Sequence, residues 1–460
     1  MEPNFSSLVP PLVAIFLAVW TRQVYLSLFF GIFAGYTILA GWNPFVGFGD
    51  SLEGLLLVFE SHSNSSVIIF SVLMGVLITY TQASGGVTGF INWIESKNLI
   101  KSRRSAGLLA WALGVVIFVE TNITILVTGT VCRPIFDRYK ISREKLAYIV
   151  DSTSAPVCVM IPLNAWGAFV IGLLVEQGIE HPVSVFVKSI PLNFYAIIAL
   201  LLVVVTVMSQ KEIGPMKAAE ERAKNSVNPV AEAPKESSDE MKNPRAVNML
   251  LPIGVMVGMM PVGLYITGDG NIMNGEGSAS VLLAVMTAIF VAAGLYKVQG
   301  VMNLEGLSRN FVSGARALLP MAILMMLAFA IGDLTVKMGT GVYVAGVIGP
   351  WLNPILIPAL LFLVSAAISF STGTSWGTFA IMIPIAVPLV SSVGGALPLS
   401  LAAVLGGGVF GDHCSPISDT TIISSLVSMT DHIEHVKTQL PYALVAAAAT
   451  TLFFIIAAAI

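Results

Sequence analysis

The chain has 460 residues, a mean hydropathy of +0.86 and only 11% charged residues, against about a quarter in soluble domains, which excludes a soluble enzyme. A net charge of −3 and the absence of any basic stripe exclude a nucleic-acid partner. Three cysteines, Cys132, Cys158 and Cys414, are few, odd in number and set in or beside apolar segments, which argues against a disulfide framework.

Apolar runs recur along the whole length, at residues 5–20, 24–41, 66–81, 106–131, 146–176, 183–209, 247–268, 278–296, 316–334, 352–386, 400–428 and 440–460. Runs of about 20 such residues cross a bilayer, so the expected fold is an all-α polytopic membrane protein. No Lys or Arg precedes the apolar stretch Leu8–Trp20, and Arg22 follows it. That order suggests a retained helix with its N-terminus outside, not a signal peptide. The semi-polar stretch 81–105 suits a helix lying in the interface, with 338–350 as its counterpart in the second half.

Lys97, Lys101, Arg103 and Arg104 precede segment 106–131, and Arg133, Arg138, Lys140, Arg143 and Lys145 follow it. The positive-inside tendency places both flanks in the cytoplasm. The segment is therefore expected to be a re-entrant hairpin with Glu120-Thr121-Asn122 at its tip. Segment 146–176 then goes out and 183–209 returns. Residues Lys211–Arg245, with seven basic and seven acidic side chains, read as a solvated cytoplasmic linker. Counting onward, 352–386 starts outside as a second hairpin, 400–428 runs inward as a second broken helix, and 440–460 ends outside. The expected plan is a first repeat (1–209), a charged linker (210–246) and a second repeat of inverted topology (247–460), as in secondary transporters.

Glu120, Asp151, Asp412 and Asp419 all lie inside apolar segments. At roughly 2.5–3.5 kcal/mol each, four ionised carboxylates would cost on the order of 10 kcal/mol, comparable to a domain's net stability. A bound cation compensates directly. Gly, Ser, Thr and Pro around Asp151 and Asp412 are expected to break both helices and free backbone carbonyls, with Ser154 and Ser415 beside the breaks. Such oxygens plus a carboxylate suit Na⁺, placed at Asp412, Ser415 and Ser371. Solute contacts are expected from Thr121, Asn122, Ser371, Thr372, Gly373, Thr374 and His413. His413, beside a buried Asp, could carry the coupled proton, or donate as a neutral imidazole to a carbonyl. Gly406–Gly408 and Gly411 suit close helix packing. His432 and His435 read as part of a solvated loop, and Asp333 with Lys337 as an interfacial pair.

The stretch Gly411-Asp-His-Cys-Ser-Pro-Ile-Ser-Asp-Thr-Thr421 closely resembles the signature of the NhaC-type Na⁺/H⁺ antiporters, in the wider ion transporter superfamily. The resemblance implies a dimeric carrier of the bacterial inner membrane, two hairpins meeting two broken helices, and Na⁺ coupling. Asp412, Ser415 and Asp419 fall on the family's motif, and Asp151 with Ser154 on its repeat. The hairpin tips, Glu120-Thr-Asn122 and Ser371-Thr-Gly373, depart from the superfamily's Ser-Asn-Thr pattern. The expectation is Na⁺/H⁺ exchange by alternating access, with no cofactor beyond the moving ions. The rival is Na⁺-coupled movement of a small organic solute, an amino acid or hydroxy acid, for which Asn122, Thr374, Ser375 and Asn164 offer hydrogen bonds. An intramembrane hydrolase built on Asp412, His413 and a serine is disfavoured. Neighbours on a helix diverge, and no nucleophile motif accompanies them.

Overall fold

A computed structural model of the chain describes residues 4–21, 23–96, 100–118, 120–162, 164–225, 244–270, 275–340, 343, 346 and 353–460. No strand occurs among them, and eight of their helices are long and apolar enough to cross a membrane. The chain opens with the packed pair α1 (Val9–Thr21) and α2 (Val24–Leu39), then α3 (Pro44–Leu57), α4 (His62–Ala83) and α5 (Gly86–Ser96). Helices α6 (Arg103–Val116) and α7 (Thr121–Arg138) form a hairpin. Helices α8 (Arg143–Cys158) and α9 (Ala165–Glu176) are the two parts of an interrupted helix. Next come α10 (Pro182–Ser189), which with the turn after it meets α11 (Phe194–Ser209) at 40°, and the short α12 (Pro215–Asn225).

Beyond α12 the order recurs. A packed pair, α13 (Val247–Thr267) and α14 (Gly277–Val298), precedes the short α15 (Leu304–Ala317) and the long α16 (Leu319–Lys337). A hairpin of α17 (Ile357–Thr372) and α18 (Ser375–Val393) follows, then the interrupted pair α19 (Leu397–Cys414) and α20 (Asp419–Ser428), and finally α21 (His432–Ala459). The halves interlock: α4 packs on α14 and α15, and α16 on α2 and α3. The interfacial segment expected at 338–350 lies mostly outside the described residues, as do Lys97, the centre of the linker (226–243) and part of the loop after α13.

The outer ends of the first hairpin are tied together. Arg103 Nη1 donates to the carbonyls of Tyr139 (3.3 Å) and Lys140 (2.7 Å), and the Tyr139 hydroxyl donates to Ile100 O (2.9 Å). Both arms therefore begin and end at one face. Arg133 and Arg143 reach the carbonyls of Val427 and Met429, which brings the end of α20 to that face too. The outer end of the second hairpin instead packs against the far end of α21, with Phe362 and Phe454 centroids 5.8 Å apart. Helix α19 lies backbone to backbone on α17. A Cβ on Gly407 or Gly411 would sit 2.3 Å from the carbonyl oxygens of Phe362 or Ala366, so close packing is what the glycine run provides.

Three expectations need correction. Helix α8 does not break near Asp151 and Ser154; it runs on to Cys158, and α9 starts at Ala165, so the interruption falls beyond the predicted place. Hydroxyls there bond back within the helix, Thr153 to Ile149 O (2.7 Å) and Ser154 to Asp151 O (3.0 Å), an arrangement a helix absorbs without unwinding. The linker is not wholly solvated: α12 buries Met216, Ala219 and Glu220. Glu220 pairs with Arg103 and accepts from Ser142 N (2.7 Å) and Oγ (2.8 Å). Beside it, the buried pair Lys145–Glu212 takes a further bond from the Tyr442 hydroxyl (2.8 Å). Third, His432 and His435 belong to the first turn of α21, and His435 is fully buried.

Candidate functional site: a cavity walled by carboxylates

Each hairpin tip is fixed by a capped helix start. Glu120 caps α7: its Oε2 accepts from Ile123 N (2.9 Å) and its Oε1 from Asn122 Nδ2 (3.0 Å). A carboxylate suits the positive end of a helix. At the second tip Thr374 caps α18, accepting from Gly377 N (3.4 Å). The preceding Gly373 ends α17 at φ +70°, where an added Cβ would lie 2.8 Å from Ile417 O; only glycine fits both demands.

The chain interruptions are tied to the tips in the same way. Asn164 caps α9 with its Oδ1, and its Nδ2 donates to Phe118 O (3.0 Å) and Cys158 O (2.9 Å). In the second half, Ser415 Oγ donates to Phe370 O (2.7 Å). Tip and interruption thus meet in both halves, and between the two pairs lies a cavity of about 60 Å³. Its wall comprises Glu120, Thr121, Asn122, Ala165, Trp166, Trp376, Asp412, Asp419 and Thr420, with Ser71 of α4 and Leu318 and Met321 at the start of α16.

Asp412 is buried and accepts from Ser375 Oγ at 2.6 Å through Oδ2, while among the described residues its Oδ1 has no hydrogen-bond partner. Asn122 Oδ1 is likewise buried without one. Asp419, first residue of α20, is exposed, and it lines the cavity. The rings of Trp166 and Trp376 stand 5.0 Å apart, and the Trp166 Nε1 donates to Thr121 Oγ1 (3.1 Å). Among the described lining residues there is no Lys, Arg or His. Also among the described residues, no three His, Cys, Asp or Glu side chains converge at metal-ligand spacing. A cation here would therefore be held by few carboxylate oxygens and completed by neutral oxygens or water.

Five residues singled out from the sequence share this wall: Glu120, Thr121, Asn122, Asp412 and Asp419. The others lie elsewhere. Ser371 Oγ donates to Ala367 O within its own helix and Thr372 Oγ1 to Ile368 O, while Thr374 and Gly373 shape the tip. Ser415 spends its hydroxyl on Phe370 O, as above. His413 points away from the cavity, its Nδ1 2.8 Å from the Tyr195 hydroxyl and its Nε2 3.0 Å from Ser152 Oγ. Ser154 bonds to its own helix. Asp151 is buried outside the wall and accepts at Oδ2 from Gln439 Nε2 (2.7 Å) and Thr421 Oγ1 (3.3 Å). The Trp166–Trp376 pair was invisible as a pair from sequence, because nothing local in either stretch signals the other.

Residues 168–459 match the Na⁺/H⁺ antiporter family. An uncharacterized Haemophilus influenzae protein is 35% identical over 98% of this chain and 90% of its own length. The malate-2H⁺/Na⁺-lactate antiporter of Bacillus subtilis is 30% identical over 25% of this chain and 28% of its own. Among solved structures, the YdaH transporter of Alcanivorax borkumensis superposes with a TM-score of 0.61 at 14% identity, covering 89% of this chain and 88% of that one; this likeness speaks to the fold alone.

Proposed function

The chain belongs to the Na⁺/H⁺ antiporter family, and from that premise we propose that it exchanges Na⁺ for H⁺ by alternating access, with the cation held in the cavity between Glu120, Asp412 and Asp419. The observation that carries this is a wall with three acids and no described basic residue, in a multi-pass membrane protein. Carboxylate plus neutral oxygen suits a hard monovalent cation. Asp412 Oδ1 and Asn122 Oδ1 are buried oxygens that want a positive partner, and an unpaired buried acceptor costs roughly 1–3 kcal/mol. Driving force is adequate: about 1.4 kcal/mol per tenfold gradient and roughly 2.3 kcal/mol per charge per 100 mV.

The reading includes two repeats of inverted topology, with the first hairpin entering from the cytoplasm and the second from outside. Its support is the basic face gathered around Arg103, Lys140 and Arg143, where the first hairpin begins and ends, and the packing of the second hairpin's outer end on the far end of α21. A bacterial inner-membrane location accords with relatives from Haemophilus influenzae and Bacillus subtilis. The reading takes a homodimer from the family resemblance, and needs neither a cofactor nor an enzymatic role.

One observation favours the rival, Na⁺-coupled movement of an amino or hydroxy acid: the Trp166–Trp376 pair offers ring faces to an organic ammonium. The cavity of about 60 Å³ is small, however, against the ~150 Å³ that admits benzene, and fits a partly hydrated ion better. Proteoliposomes carrying a pH-sensitive dye separate the two. Protons should move on adding NaCl alone and should stop moving in Asp412→Asn. A response that requires an added amino or hydroxy acid would establish the rival, and no response to either would end the transport reading.

A further inference from the structure

Behind the cavity wall lies a second polar centre. Asp151 of α8 is 1% exposed and His435 of α21 is 0% exposed, and His435 Nε2 lies 3.4 Å from Asp151 Oδ2. That is ion-pair reach at the long end for a hydrogen bond, and among the described residues no well-aligned partner meets either ring nitrogen of His435. Asp151 Oδ1 and Gln439 Oε1 are also buried without partners among the described residues. On α20, Thr421 touches Asp151, and Ser424 and Ser428, three and seven residues on, continue the same helical face. Both serine hydroxyls are fully buried and unpartnered. Such a concentration of orphaned polar atoms calls for water. It marks a polar seam between α8, α20 and α21 whose last member, Ser428, adjoins Met429, the residue whose carbonyl Arg143 reaches.

We propose that Asp151 and His435 form a proton-binding site separate from the cation cavity. The proposal rests on the exchange reading above and specifies where its proton goes. With a neutral imidazole the pair carries one negative charge; one proton taken up along the seam converts it to a carboxylate–imidazolium pair of zero net charge. Asp419 and Thr420 line the cavity while the next residue, Thr421, touches Asp151, so this charge sits directly behind the cation. Deprotonated, the pair favours Na⁺ in the cavity; protonated, it withdraws that support. In a water-poor interior the two ions are coupled through space, without sharing one oxygen. Among the described residues, the ionisable groups facing Asp151 are Asp412, His413 and Cys414 from α19, Tyr195 from α11 and Asp419 on α20, with Tyr148 on α8 itself and Lys145 and Glu212 toward the basic face.

The test compares wild type, His435→Gln and Asp151→Asn, each purified and reconstituted. Two quantities are read: the NaCl concentration giving half-maximal thermal stabilisation, against a choline chloride control, from about pH 6 to about pH 8.5, and dye-reported proton movement driven by NaCl. In wild type the NaCl requirement should rise as pH falls. In either variant Na⁺ should still stabilise, with that pH dependence flattened, and proton movement should drop by at least about tenfold, equivalent to ~1.4 kcal/mol. The second variant decides if the first misfolds, since Asn keeps an acceptor for Gln439. Unchanged proton movement and pH dependence would overturn the proposal. So would loss of Na⁺ stabilisation in a folded variant, which would place the pair inside the cation site. If wild type itself moves no protons, the exchange reading fails, and the pH dependence of Na⁺ stabilisation in the variants still decides the pair.

Discussion

The two hairpin tips share their wiring and differ in charge. In each half a carbonyl just before or at the tip, Phe118 O or Phe370 O, accepts a bond from the facing chain interruption, through Asn164 Nδ2 or Ser415 Oγ. In each half a side-chain oxygen caps the inward helix start. Yet the first half brings its acid on the tip, as Glu120, whereas the second tip is neutral and the acids sit at the interruption, as Asp412 and Asp419. Counted from the helix ends, the first-half positions matching Asp412 and Asp419 are Pro156 and Ala165. The two tips share their wiring and not their charge. The acids also differ in what holds them: both Glu120 oxygens accept bonds, whereas Asp412 keeps one oxygen bare. Glu120 is compensated by its own helix, whereas Asp412 keeps one oxygen available to the proposed cation.

Opposite behaviour of the two acids on substitution follows. Asp412→Asn should raise the NaCl concentration for half-maximal thermal stabilisation by at least about tenfold, ~1.4 kcal/mol, while leaving the Na⁺-free melting temperature unchanged or higher, because an uncompensated buried charge is gone. Glu120→Gln should instead lower the Na⁺-free stability by about 1 kcal/mol through loss of a good N-cap, with a smaller effect on the NaCl requirement. Equal effects from the two substitutions would erase the distinction. The tip-to-interruption ties should also separate. Asn164→Ala removes two donated bonds and a cap and should cost about 2–3 kcal/mol. Ser415→Ala removes its bond to Phe370 O and should cost about 1 kcal/mol, both read from melting curves.

The helical membrane fold was legible in the sequence because long apolar runs have few other solutions, and the family was legible in one motif around Asp412. Acids inside apolar runs pointed to Glu120, Asp412 and Asp419, which do share a wall. The small and hydroxyl residues around Asp151 misled as signs of a helix break, because composition does not reveal whether hydroxyls unwind a helix or bond back along it; those of Thr153 and Ser154 bond back. His435 was hidden by polar neighbours: one turn of α21 exposes His432, Glu434 and Lys437 to different degrees while turning His435 inward. Ser375 was read as a solute contact, and only packing of α18 on α19 shows its hydroxyl committed to Asp412.

The smallest effect sharpens the comparison within one tip, where two serines stand on either side of the turn. Ser371 was expected to hold Na⁺, but its hydroxyl donates to Ala367 O at 2.8 Å within its own helix and its side chain is off the cavity wall. Ser375 donates to Asp412 Oδ2 at 2.6 Å, a charge-assisted bond of the stronger kind. Ser375→Ala leaves Asp412 with one fewer donor and should loosen its aim into the cavity, raising the NaCl requirement up to about tenfold, the equivalent of ~1.4 kcal/mol. Ser371→Ala should leave that requirement where it was, because an exposed hydroxyl bonded to its own helix contributes only a few tenths of a kcal/mol or less. Paired titrations of the two purified variants read the difference directly. A loss of Na⁺ affinity in Ser371→Ala equal to that in Ser375→Ala would move the cation out of the cavity between the acids and onto the tip of the second hairpin.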